Sequence, residues 1–204
     1  FFMTQTQKKT HRLAVAAMLT AVAAVLQFVE FAIPLMPSFI KLDISDLPAL
    51  LGTFSLGPVY GVAIQLAKNL LHLPFGSSAG VGELSNFILG AVFVFVAGII
   101  YKHNKSRKSA LVGSVAGAAA MALVSIVTNY FIVYPAYVVL YKLPLEAIVG
   151  MYEAILGGVS HVPTQNALLN CLLVFNVPFT LVKGLLDTAL CFLIYKPLSP
   201  LLHR

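Results

Sequence analysis

The sequence predicts an all-α polytopic membrane protein: one domain of six transmembrane helices over residues 1–204. Three observations predict it. The chain is 59% hydrophobic and 10% charged, where a soluble domain carries about a quarter charged residues. Apolar runs of 18 or more residues recur along it, and the mean hydropathy is +0.92. Lipid admits only helices or closed barrels, and the alternating segments of a barrel are absent.

The elements follow in order. Gln7-Lys-Lys-Thr-His-Arg12 is a basic flank, which assigns residues 1–12 to the cytoplasm. Span 1 is expected over residues 13–33, too long for a cleavable signal peptide and ended by Pro34 and Pro37. Within it Ala14, Ala17, Ala21 and Ala24 recur at spacings of three and four. They form a face of small side chains for close helix approach, within this fold or from a separate membrane subunit. Residues 34–46 form an outer loop, and the apolar leg from Leu47 to Gly57-Pro58 follows. That leg is roughly half of the ~20 residues a straight span needs.

The next spans run over residues 59–73, 83–101 and 109–134, separated by a Gly-rich turn at 74–82 and the basic cluster at 102–108. Gly113-x-x-x-Gly117 in the fifth is a close-packing motif. Residues 135–177 are a mixed outer segment expected to hold short helices. The last span ends at Tyr195, before the basic tail 196–204.

Parity decides the turn at Gly57-Pro58. One helix over 47–73 gives five spans and leaves the 102–108 cluster and the tail outside. A turn there gives six and places every basic cluster in the cytoplasm, as the positive-inside rule favours. Pro58 supports the turn, because it lacks an amide donor and restricts Gly57. The short leg is tolerable only if protein shields it or it lines a cavity.

Ionisable residues within spans are costly and mark function by default. Lys183 and Asp187 lie four apart, so they either neutralise each other or leave Lys183 to donate hydrogen bonds into a pocket. Lys68 and Glu83 sit at outer span ends, placed to bridge each other, to snorkel or to touch a ligand. Asn86 and Asn129 offer amides to a heterocycle edge, or to a neighbouring helix. Tyr130, Phe131, Tyr134 and Tyr137 suit stacking or an interfacial belt. Cys171 and Cys191 read as buried free thiols. No HExxH, GxSxG, P-loop or GxGxxG pattern is present, and the histidines lack metal spacing, so neither an enzyme, a cofactor nor a metal is expected. Net charge is +6, but the basic residues flank apolar runs, which argues against nucleic acid and for membrane lipids as the surroundings.

Asp43-Ile-Ser-Asp-Leu-Pro-Ala-Leu50, Leu56-Gly-Pro58, Lys68-Asn-Leu-Leu71, Gly80-Val-Gly-Glu-Leu-Ser-Asn-Phe87 and Asn176-Val-Pro-Phe-Thr-Leu-Val-Lys-Gly184 occur in this order. With them the chain resembles the riboflavin-specific S components of energy-coupling factor (ECF) transporters, from about Leu13 to Lys196. The resemblance implies six spans, both termini cytoplasmic, and a pocket for riboflavin or FMN in the outer half of a cell-membrane protein. The loop between spans 1 and 2 would gate that pocket. It implies partners: a transmembrane scaffold subunit and two ATPase subunits, the scaffold docking at Ala17 and Ala21. Carried over by position, Leu50, Thr53, Ser85, Asn129, Thr180 and Lys183 would bind substrate, with Asn86, Glu83 and Asp187 in support. Some family members carry Asn where this chain has Thr180. The alternatives are an S component for another vitamin, or a stand-alone secondary transporter coupled through Glu30, Lys183 and Asp187.

Overall fold

A computed structural model describes residues 4–34, 36–37, 40–76, 78–142, 144–155 and 167–202, with side chains to residue 194. Its elements are α1 (Gln5–Gln27), β1 (Phe31–Ala32), β2 (Lys41–Leu42), α2 (Asp46–Leu56), α3 (Pro58–His72), α4 (Val81–His103) and α5 (Arg107–Thr128). There follow α6 (Tyr134–Tyr141), α7 (Leu145–Ile155), α8 (Ala167–Cys171) and α9 (Val177–Leu202). The molecule is thus nearly all helical. Four stretches are long and apolar enough to cross a membrane: Gln5–Gln27, Val81–His103, Arg107–Tyr141 and Ala167–Ile194.

Two sequence expectations need correction. Span 1 ends at Gln27 rather than residue 33. Phe31 and Ala32 leave the helix to pair antiparallel with Leu42 and Lys41, so a two-residue ladder closes the base of the 34–46 loop. The fifth span continues past residue 134 to Tyr141, through a π-helical turn at Asn129–Val133. Tyr134 precedes Pro135, which has no amide hydrogen to give, and the wider turn passes that gap. Of the segment 135–177, α6, α7 and α8 are helical, and residues 156–166 lie outside the described residues.

The break at Gly57-Pro58 is present. Gly57 has φ +113° and ψ 166°, a conformation open almost only to glycine, and Pro58 starts α3 at a position that needs no amide donor. The short leg is shielded: residues 46–54 of α2 are all buried, against α1, α3, α4 and α9. Gly113 and Gly117 let α5 lie directly on α4. A Cβ on Gly117 would sit 2.5 Å from the Phe93 carbonyl oxygen, and one on Gly113 2.7 Å from that of Ala97. The core between these helices holds Leu19, Leu50, Ile64, Phe93, Ala118 and Met121. A second cluster, around Tyr134, Ile148, Tyr152 and Leu172, ties α7 to the π-turn between α5 and α6 and to a second one, Leu172–Asn176, between α8 and α9.

Gly117→Val must push α4 and α5 apart. An overpacked core costs about 1–3 kcal/mol, so thermal unfolding in detergent is expected to show a midpoint several degrees lower. An unchanged midpoint would mean that the close approach is not required.

Candidate functional site

Six buried or half-buried polar positions at one end of the bundle come from short-range patterning. On α3, Gln65, Lys68, Asn69 and His72 fall at i, i+3, i+4 and i+7, one face of a helix, and all are buried. The loop before α2 adds Asp43 and Ser45, and Ser45 turns its amide and hydroxyl onto the Asp43 carboxylate.

These groups meet α9. Lys183 donates to Asp43 at 2.8 Å, and its ammonium lies 3.4 Å from Asp46 and from the Asn86 amide oxygen. Lys68 donates to Asp46 at 2.5 Å and to the Ser45 hydroxyl at 2.6 Å, and Gln65 donates to Asp46 at 2.9 Å. All four charges are under a tenth exposed. Burial alone pushes the Asp43 carboxyl up; the Lys183 and Lys68 ammonium groups outweigh it and hold it below the ordinary 3.8.

Above this cluster lies a cavity of about 360 Å³, within the ~300–1,000 Å³ typical of small-ligand pockets. Its wall includes Gln27 and Phe28 at the end of α1, Asp43 from the loop, Glu83, Ser85, Asn86 and Leu89 from α4, Asn129 from the π-turn between α5 and α6, and Tyr134 at the start of α6. Asn176, Phe179, Thr180 and Lys183 complete it. Tyr152 fixes one side from behind. Its hydroxyl donates to Asn176 Oδ1 at 2.6 Å and lies 2.5 Å from the Tyr134 hydroxyl, to which Asn176 donates at 3.2 Å. At the opposite side His72 Nδ1 and Ser78 hold the two Glu83 carboxylate oxygens at 3.0 and 2.9 Å. Phe28 lies 4.9 Å from the His72 ring and 5.4 Å from Phe75.

The structure thus brings Ser85, Asn86, Glu83, Asn129, Thr180 and Lys183 to one cavity. Leu50 and Thr53 do not reach it. Leu50 is fully buried in the helix core, and the Thr53 hydroxyl bonds the Ala49 carbonyl where α3 passes closely at Gly61. The loop faces the cavity instead with Ile40, Lys41 and Asp43.

Asp187 is fully buried, and neither of its oxygens has a hydrogen-bond partner among the described residues. The Lys183–Asp187 hydrogen bond open to an i,i+4 pair is absent, because Lys183 reaches across to Asp43 and Asp46. Lys68 and Glu83 do not bridge each other either. Glu30 lies beyond α1 beside β1, paired to Lys41, and outside the first stretch long and apolar enough to cross a membrane. Of the alanine face, Ala14, Ala17 and Ala21 are exposed and only Ala24 is buried. Gln27 and Tyr152 carry no sequence signal of their own, and Asn176 appears there only within a motif. The spacing of α3 contained the signal for His72; Tyr152 and Asn176 become partners only through the packing of α7. Among the described residues no group of three or more His, Cys, Asp or Glu is placed to hold a metal ion.

A bundle with spanning helices and a walled polar cavity at one end defines a membrane-embedded binding protein for a small solute. The chain belongs to the family of ECF transporter substrate-specific components, whose family model matches residues 11–195. It is similar to the riboflavin transporter RibU of Staphylococcus aureus (strain TCH60), 34% identical over 197 residues, covering 97% of this chain and 95% of that protein. It is 30% identical over 199 residues to the riboflavin transporter FmnP of Bacillus subtilis (strain 168), covering 96% of each. A solved structure described as the S component of a bacterial ECF transporter matches with a TM-score of 0.72 and 34% identity, over 96% of this chain and 99% of that one.

Asp43 has a folded pKa below its unfolded value, so its stabilisation is fully present above 3.8 and is lost as pH falls through the lower folded value. Acid unfolding should show this loss, and Asp43→Asn should remove that part of the pH dependence and lower stability at neutral pH. Asp187→Asn should leave neutral-pH stability unchanged or raise it. A larger penalty for Asp187→Asn than for Asp43→Asn would make Asp187 the main partner of Lys183.

Proposed function

We propose that the chain is the substrate-binding subunit of a vitamin uptake transporter, taking riboflavin from the outer side and releasing it inward. The cavity wall carries this reading. Amides Asn86, Asn129 and Asn176, hydroxyls of Ser85 and Thr180, and the rings of Phe28, Phe75 and Phe179 surround a volume suited to a small planar molecule. The charged groups in the wall have partners of their own: Glu30 with Lys41, Asp43 and Asp46 with Lys183, and Glu83 held at its two oxygens by the His72 ring and the Ser78 hydroxyl. Among the described residues no arginine lines it. A neutral heterocycle with a polyol tail matches such a wall, whereas a phosphorylated or dicarboxylate solute calls for an arginine cluster. The names of the similar transporters from Staphylococcus aureus and Bacillus subtilis point to the same ligand.

Six crossings complete this picture, with α2 as a leg buried among the other helices and α3 as a leg that turns Val59, Leu66 and Leu70 outward to lipid. Both termini and the 102–108 loop then face the cytoplasm, and the cavity opens outward. Release draws on an ATP-driven module of one membrane scaffold subunit and two ATPases. The exposed Ala14, Ala17 and Ala21 leave α1 a smooth face for the scaffold.

Calorimetric titration of flavin-stripped protein tests the ligand. Saturable riboflavin binding is expected, with FMN as the competing flavin; thiamine or folate binding in its place overturns the reading. Lys183→Ala should weaken riboflavin binding more than about tenfold, the scale of one lost charged hydrogen bond. Asn129→Ala leaves the ion cluster intact and should also weaken it; full affinity in both variants would remove these contacts from the site.

Leucine at both Ala17 and Ala21 should leave riboflavin binding intact and block uptake by cells carrying the energy-coupling module. Undiminished uptake would exclude this face as the docking surface.

A further inference from the structure

A second cavity, of about 350 Å³, lies at the other end of the bundle. It is lined by Phe54, Tyr101, Lys105, Ser106, Arg107, Ala110, Cys191 and Phe192. α2 and α9 connect the two cavities. Asp46 and Phe54 on one, and Lys183 and Cys191 on the other, are eight residues apart, ~12 Å along a helix. The riboflavin reading makes no use of this second space.

Its chemistry is divided. Phe54, Ala110 and Cys191 are buried, Phe54 and Tyr101 pack edge to face at 4.9 Å, and Phe192 is half-buried, so the floor is apolar. Lys105 and Arg107 at the rim are exposed, and among the described residues no acidic side chain lines the cavity. Lys105 lies in the three-residue turn between α4 and α5 and Arg107 begins α5; both helices are long and apolar enough to cross the bilayer, so the rim lies at a membrane surface. Beside it Leu111 and Leu193 are exposed, continuing the apolar floor onto the outer surface of the bundle.

From this arrangement we infer that the cavity is a binding site for an anionic phospholipid, with its phosphate at Lys105 and Arg107 and the start of an acyl chain over Phe54, Tyr101 and Phe192. Charge complementarity selects the headgroup: two cations with no counter-charge in the lining attract an anion, and a membrane surface supplies it as lipid. The apolar floor selects a tethered tail over a free anion. Continuity with Leu111 and Leu193 gives that tail a path into the bilayer.

The chain has no tryptophan, so Phe192→Trp creates a single reporter in the cavity. The full chain carrying it is reconstituted in nanodiscs with either brominated phosphatidylglycerol or brominated phosphatidylcholine at equal mole fraction. Phosphatidylglycerol should quench at least about twofold more, reflecting local enrichment of anionic lipid. Adding Lys105→Gln and Arg107→Gln should erase the difference while riboflavin affinity stays unchanged, which checks that the fold is intact. Equal quenching by the two lipids overturns the inference, as does a difference that survives both glutamine substitutions. Loss of the difference in millimolar inorganic phosphate at constant ionic strength overturns it in favour of a free-phosphate site. Should Phe192→Trp fail to fold, bound lipid in the otherwise unsubstituted protein is compared with Lys105→Gln/Arg107→Gln by native mass spectrometry. Equal retention of phosphatidylglycerol there would equally overturn the site.

Discussion

The buried contact of Asp43 and Asp46 with Lys183 and Lys68 is the constraint on which the rest of the molecule depends. It joins a loop, α2, α3 and α9, elements up to 140 residues apart in sequence. Ions taken out of water lose several kcal/mol of solvation each, and their attraction offsets this only when the remaining donors and acceptors are also met. Ser45, Gln65 and Asn86 meet them here. Breaking such a pair by deleting one member typically costs about 3–5 kcal/mol, because the other charge is left buried and alone. The cluster therefore selects one arrangement of these four elements over neighbouring ones.

The cavity inherits its shape from that arrangement. Lys183 faces it while anchored to the loop, so the group most suited to contact a ligand also holds the segment between the first two long elements. The β1–β2 pairing closes the base of the same loop. Tyr152, Tyr134 and Asn176 do the equivalent work on the opposite wall with neutral hydrogen bonds. One side is thus set by charge and the other by a phenol–amide network. Between them the floor is helix packing, with α4 and α5 drawn together at Gly113 and Gly117.

Much of this was legible in the sequence. Hydropathy marks the long helices, the Gly57-Pro58 pair marks the bend, and the need to shield a short leg anticipates the complete burial of residues 46–54. Ser85, Asn86, Thr180 and Lys183 reach one cavity because the motifs that contain them fix their helices and register. Leu50 and Thr53 fall in the helix core for a physical reason: α2 is buried on every side, so its sequence carries no periodicity to say which face looks at the cavity. The end of the first span failed for a related reason. Val29, Phe31 and Ile33 are apolar enough to prolong a helix, and only pairing with residues 41 and 42 draws that stretch into a strand.

The sequence by itself determined the class of protein and the family, since composition, hydrophobic run length and ordered motifs are local properties of the chain. Only the tertiary structure decided which charges pair. An i,i+4 spacing offers Lys183 a neighbour in Asp187, yet the lysine bonds Asp43, 140 residues away, and leaves both Asp187 oxygens unpartnered among the described residues. Spacing along one helix says which groups can meet. In a low-dielectric interior the outcome depends on every donor and acceptor that the other helices bring, and those partners exist only once the bundle has closed.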